Sequence, residues 1–120
     1  MSARRPQGGV FGDAWPGAFD VDKQALLDTA CSGRSMRLLA DLGGVWNVDA
    51  AYSFYAAEQF GLERVYLVDT EIDDRITALC HRDGRVLPCR GPIGDPSILA
   101  QIGRIDVVVL FDVLLHQVQP

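Results

Sequence analysis

The sequence predicts an α/β fold, a three-layer sandwich built on a mostly parallel sheet of about four strands with helices on both faces. Three observations carry this. From residue 21 onward, short apolar runs alternate with helix-periodic segments. The run VVVLF shows no polar alternation, as expected of a strand covered on both sides. Each strand-like run also ends at or just before an acidic residue, the edge where parallel sheets bind their ligands.

Residues 1–20 hold Pro6, Gly8, Gly9, Gly12, Pro16 and Gly17 and read as a loose leader, with Trp15 and Phe19 able to pin it to the body. The domain proper is expected over 21–120. VDKQALLDTACSG predicts a helix whose apolar face is Val21, Ala25, Leu26 and Ala30, stopped by Gly33. MRLLADL (36–42) predicts the first strand. DAAYSFYAAEQFG (49–61) predicts a helix on Ala50, Ala51, Phe54 and Ala57, ended by Gly61. RVYLVD (64–69) is the second strand, and IDDRITALCHRDG (72–84) a helix facing inward through Ile72, Ile76, Leu79 and Cys80. RVLPCR (85–90) is a third strand whose Pro88 suits an edge. DPSILAQIG (95–103) is a short helix with Asp95 as N-cap and Pro96 in its first turn. IDVVVLFD (105–112) is the fourth strand.

A chain of 120 residues with 48% apolar and 22% charged side chains has the composition of one soluble globular domain. The net charge of −5 and the lack of a basic stripe argue against a nucleic-acid backbone as partner. No stretch suits a secretory signal or a bilayer span, and Cys31, Cys80 and Cys89 form no CxxC pair. The expected location is cytoplasmic. Cys80, His81 and Cys89 fit no closed zinc site, so buried thiols are expected and metal is not.

Asp41, Asp69, Gly94-Asp95 and Asp112 lie at the four strand ends. Converging carboxylates repel, so a cation, a cationic ligand or solvent must offset them; acids at these positions also cap helices and turns. Asp69 lies 26 residues past Gly43, near the roughly 20-residue spacing at which an acid accepts ribose hydroxyls. The loop Asp41-Leu42-Gly43-Gly44-Val45 chooses between nucleotide-like ligands. A pyrophosphate needs glycines at positions held here by Val45 and Val48, and Asp41 would oppose its charge. A ligand with an ammonium and a sulfonium is instead favoured by that aspartate.

LLADLGGVWN, VYLVD, GD at 94–95 and IDVVVLFDVLLH together resemble class I S-adenosylmethionine-dependent methyltransferases, from about residue 36 to the end. Asp41 and Gly43 match the first motif, while Val45 and Asn47 replace its second and third glycines. The resemblance implies a Rossmann-like partial methyltransferase fold and S-adenosyl-L-methionine as cofactor. It implies cofactor contacts from Asp41, Gly43, Gly44, Val45, Asp69, Thr70, Gly94, Asp95 and Asp112. Asp112 would lie near the transferred methyl, and His116 is a weak candidate for a base. Trp46 would fill the core or stack on the ligand.

The family fold has about seven strands, and this chain stops at Pro120 after the fourth. The expectation is therefore an amino-terminal, cofactor-binding half, inactive alone, with an exposed sheet edge prone to self-association. The methyl acceptor is not legible. Two alternatives remain: an NAD(P)-binding domain of an oxidoreductase and a non-catalytic scaffold derived from a methyltransferase. A receiver-type signalling domain is disfavoured, because Lys23, the only lysine, precedes the first strand.

Overall fold

Strands β1 (Leu38–Leu42), β2 (Arg64–Asp69), β3 (Val86–Arg90) and β4 (Val107–Val109) form one parallel sheet in the order β3-β2-β1-β4. This is a computed structural model, and it describes residues 20–32, 35–45 and 49–111. Helices α1 (Val21–Cys31), α2 (Ala51–Phe60), α3 (Asp74–Asp83) and α4 (Pro96–Ile102) complete the alternation. The leader residues Trp15 and Phe19, with Trp46, Asp112 and His116, lie outside the described residues.

The connections determine where a ligand can enter. From β1 the chain moves outward through β2 to β3, and then α4 returns it to the other side of β1 as β4. Strand order therefore reverses between β1 and β4, and the crevice beyond their carboxyl ends is the switch point of the sheet. Asp41 pairs with Leu67 on one side and Val109 on the other, so it stands at that point.

Two apolar layers hold the sheet. On one face Leu39, Val65, Leu67, Val86 and Val109 meet α1, α2 and α3 through Leu27, Phe54, Tyr55, Ile76 and Cys80. On the other, Val68 and Cys89 pack against Ile98 and Ile102 of α4. Burial of this apolar surface is the main favourable contribution to folding. α2 is buried all round from Ala51 to Ala57 because it lies between the sheet and α1, so its expected single apolar face became a full circumference. α3 buries the expected face through Ile76 and Cys80, while Ile72, expected in the same helix, is buried just ahead of its Asp73 N-cap. Pro88 stands on an outer strand, where its missing N–H costs no ladder bond.

Two expectations are corrected. α1 does not bury Val21, Ala25, Leu26 and Ala30; it buries Gln24, Leu27 and Cys31. Polar contacts with α2 select this face. The Asp20 N–H donates to the Tyr52 hydroxyl at 2.7 Å, and the Tyr55 hydroxyl donates to Asp28 at 2.5 Å. Leu26, 62% exposed, instead borders a groove lined by Ala30 and residues 107–111. Among the described residues, β4 is also not covered on both sides. Among the described residues it is the outer strand of its side, three residues long, with Val108 59% exposed.

The amino end of β4 is clamped to β1 by Asp106. Its Oδ2 accepts the N–H groups of Arg37 and Leu38, each at 3.0 Å, and its own N–H donates to the Leu38 carbonyl. Those two N–H groups hold the Asp106 carboxyl below the usual range. An acid with a depressed folded pKa contributes stability above its unfolded pKa and loses it as pH falls through the folded one. Asp106→Ala is therefore expected to lower the melting temperature at neutral pH, with the gap from wild type closing on acidification. Thermal melts across pH 2–7 check this.

Candidate functional site

The site grows from the end of β1. Asp41 is 2% exposed, and its side chain folds beneath the loop that follows it rather than facing the crevice. Gly43 turns that loop with φ +76°, a conformation side chains rarely adopt. Gly44 is required for a different reason. A Cβ there would lie 2.2–2.6 Å from the three atoms of the Asp41 carboxylate group, closer than any contact allows. The two adjacent glycines thus serve a turn and a close approach, and the close approach is to the protein's own carboxylate.

From the first turn of α2, the buried Ser53 hydroxyl donates to Asp41 Oδ2 at 2.7 Å. Burial pushes the Asp41 carboxyl up to about 6 from its ordinary 3.8; the Ser53 bond opposes the rise and the Asp69 charge adds to it. Asp69 ends β2 and braces the same loop from the other side. Its Oδ2 accepts the Val45 N–H at 3.0 Å, and its Oδ1 accepts the Glu71 N–H at 2.8 Å. Gly43 N–H donates to the Val68 carbonyl at 2.6 Å. Among the described residues, then, the loop N–H groups of Gly43 and Val45 are turned inward onto protein acceptors.

The sequence-derived candidates divide accordingly. Asp41, Gly43, Gly44, Val45 and Asp69 come together at the carboxyl ends of β1 and β2. Thr70 follows directly and is exposed. The Gly91 N–H, after β3, donates to the Asp69 carbonyl at 3.1 Å and draws that loop to the same edge. Gly94 is exposed, and Asp95 is the N-cap of α4, with Oδ1 accepting the N–H and hydroxyl of Ser97. These bonds lower the Asp95 pKa, the side-chain bond from Ser97 most. Asp112 and His116 fall outside the described residues. Cys80 and Cys89 are buried, and burial raises both thiols, that of Cys80 to about 11.

Ser53 was missed by sequence reasoning. The available signal was one serine in the otherwise apolar and aromatic run AAYSFYAA. The entrance to α2 was missed too. Asp49 and Ala50 both adopt positive φ, 49° and 63°, and Ala50 caps the helix without a side-chain bond. Two consecutive non-glycine residues in this region store backbone strain beside the loop, while Asp49 is tied to Arg75 at 2.6 Å.

No protein-family model matches the chain, and no curated protein matches it. A solved structure does: the C-terminal domain of precorrin-6Y C5,15-methyltransferase from Rhodobacter capsulatus, with a TM-score of 0.54 at 20% identity. The match covers 89% of this chain and 63% of the other, so the chain spans less than two thirds of that domain. The α/β Rossmann-like fold expected from the sequence, a parallel sheet with helices, is thus shared with that methyltransferase domain.

Two outcomes follow from the loop geometry. Gly44→Ala is expected to destabilise the protein by about 1–3 kcal/mol, since the new methyl must displace the carboxylate or the backbone; denaturant unfolding measures this. Asp41→Asn is expected to stabilise it at neutral pH. A raised folded pKa means that the Asp41 contribution is fully present below about pH 4 and is lost as pH rises through about 6. Removing the charge recovers up to about 3 kcal/mol at pH 7 and close to nothing at pH 4. Unfolding free energies of both proteins at the two pH values check the sign.

Proposed function

We propose that this domain binds S-adenosyl-L-methionine and supplies the cofactor half of a methyltransferase acting on an unidentified acceptor. The observation that carries the reading is the inward turn of the loop. A diphosphate would need the N–H groups of Gly43 and Val45 as donors, but both are given to protein acceptors, and the carboxylates of Asp41 and Asp69 make the loop negative. That surface repels a dinucleotide phosphate and favours a ligand carrying ammonium and sulfonium groups.

The residues present fit that ligand. Each Asp69 oxygen uses one lone pair on a backbone N–H and keeps another for a ribose hydroxyl. Asp95, whose Oδ1 accepts the N–H and hydroxyl of Ser97, would take the adenine amino group through its carboxylate. Asp41 would set the negative potential beneath the methionyl end from its buried position. Gly43, Gly44 and Val45 would form the floor, with Thr70 and Gly94 at the rim, and Asp112 stands as a candidate from the sequence.

The bound cofactor supplies a methyl group activated on sulfonium. The chain's contribution is to hold it aligned and dry, and alignment alone is worth several orders of magnitude in rate. No base is assigned to this half, and His116 stands as a candidate only. Exclusion of bulk water by the buried acids and apolar layers keeps the local dielectric low, so the charge of Asp41 acts strongly at short range.

Calorimetric titration of S-adenosylhomocysteine into folded protein, with NAD in parallel and Asp69→Ala as control, tests the reading. Binding of the former alone, weakened at least tenfold in the variant, is the expected result. Binding of NAD would favour the oxidoreductase alternative. No binding of either by folded protein would favour the scaffold.

A further inference from the structure

Asp41, Ser53 and Asp69 are three of the four buried polar residues described, and they cluster at one strand edge. Asp69 is accounted for by its two backbone donors. Ser53 is not accounted for by the helix that carries it. It is fully buried in the first turn of α2, where every other residue from Ala51 to Ala57 is apolar or aromatic, and an alanine would suit both the helix and the packing better. What the hydroxyl does is donate to Asp41 Oδ2.

We propose that Ser53 is a positioning residue for the cofactor loop: its hydroxyl fixes the Asp41 carboxylate beneath Gly44, so that the loop presents its negative potential to the cationic end of the ligand. The inference rests on the S-adenosylmethionine reading and deepens it. Gly44 leaves the carboxylate in direct contact with the loop backbone, so any reorientation of Asp41 moves the surface on which the ligand lies. The hydrogen bond also favours the charged form of the acid against burial.

The groups facing Asp41 support this. β4 contributes the apolar Val109 beside it, and β2 contributes Leu67 and, at its end, the Asp69 carboxylate, whose charge opposes ionisation. At the entrance to α2 the charged residue is Asp49, already paired with Arg75. Among these described neighbours, Ser53 is the group that favours the Asp41 anion.

The test is S-adenosylhomocysteine affinity from pH 5 to 9 for wild type, Ser53→Ala and Ser53→Cys, each first shown to be folded. The expected result for Ser53→Ala is about tenfold weaker binding at pH 7. Its affinity-versus-pH curve should move to higher pH, with the deficit narrowing as pH rises, a signature that loss of packing alone would not produce. Ser53→Cys keeps the volume with a weak donor, so it should fall between the two and serves as the readout if the alanine variant does not fold. Wild-type affinity and pH profile in a folded variant overturn the role of Ser53 and leave the cofactor reading standing. Absence of binding by folded wild type overturns both.

Discussion

The carboxylate of Asp41 is held in a dry site at the point where the sheet changes direction, and much of the surrounding structure follows from that. A charge with 2% exposure needs a donor, and the donor is the Ser53 hydroxyl, which requires the first turn of α2 to approach the end of β1. The carboxylate fills the space a Cβ would take at residue 44, which makes that position glycine. The turn that brings residue 44 over the acid needs positive φ at residue 43, which makes that glycine too. The loop is then fastened from the β2 side by Asp69 through the Val45 N–H.

This arrangement works against stability and, under the proposed reading, in favour of a cationic ligand. Two acids at one edge, one of them with its pKa raised, form a local surplus of negative potential that an isolated domain would do better without. Such features concentrate where a protein binds something, because the unfavourable term is relieved by the partner. Positive φ at Asp49 and Ala50, in the same segment, adds backbone strain at the same place. The strain lies in the stretch joining β1 to α2, and the charge at the ends of β1 and β2 beside it.

Elsewhere the chain follows ordinary rules for its fold. Apolar layers on the two faces of the sheet carry the stability, and Asp106 closes the amino ends of β1 and β4 with two hydrogen bonds. The groove between α1 and β4 exposes Leu26 and Val108, where periodicity had placed a buried helix face and a covered strand. Periodicity weighs apolar residues alone. The contact between α1 and α2 is decided instead by two tyrosine hydroxyls that find Asp20 and Asp28, and this rotates α1 so that Gln24 lies inside.

The sequence by itself determined the alternation of strands and helices, the ends of β1, β2 and β3, and the acids and glycine that mark them. Asp41, Gly43, Asp69 and Asp95 are legible because acids and glycines punctuate strand ends and helix caps by local chemistry. Only the tertiary structure decided what those residues touch. That Gly44 is demanded by the side chain three positions earlier, that Ser53 serves Asp41, and that Asp69 closes the loop through a residue 24 positions away are facts of three-dimensional approach. Local patterns fix backbone conformation, but the distance between a carboxylate and a hydroxyl on different elements is set by how those elements pack.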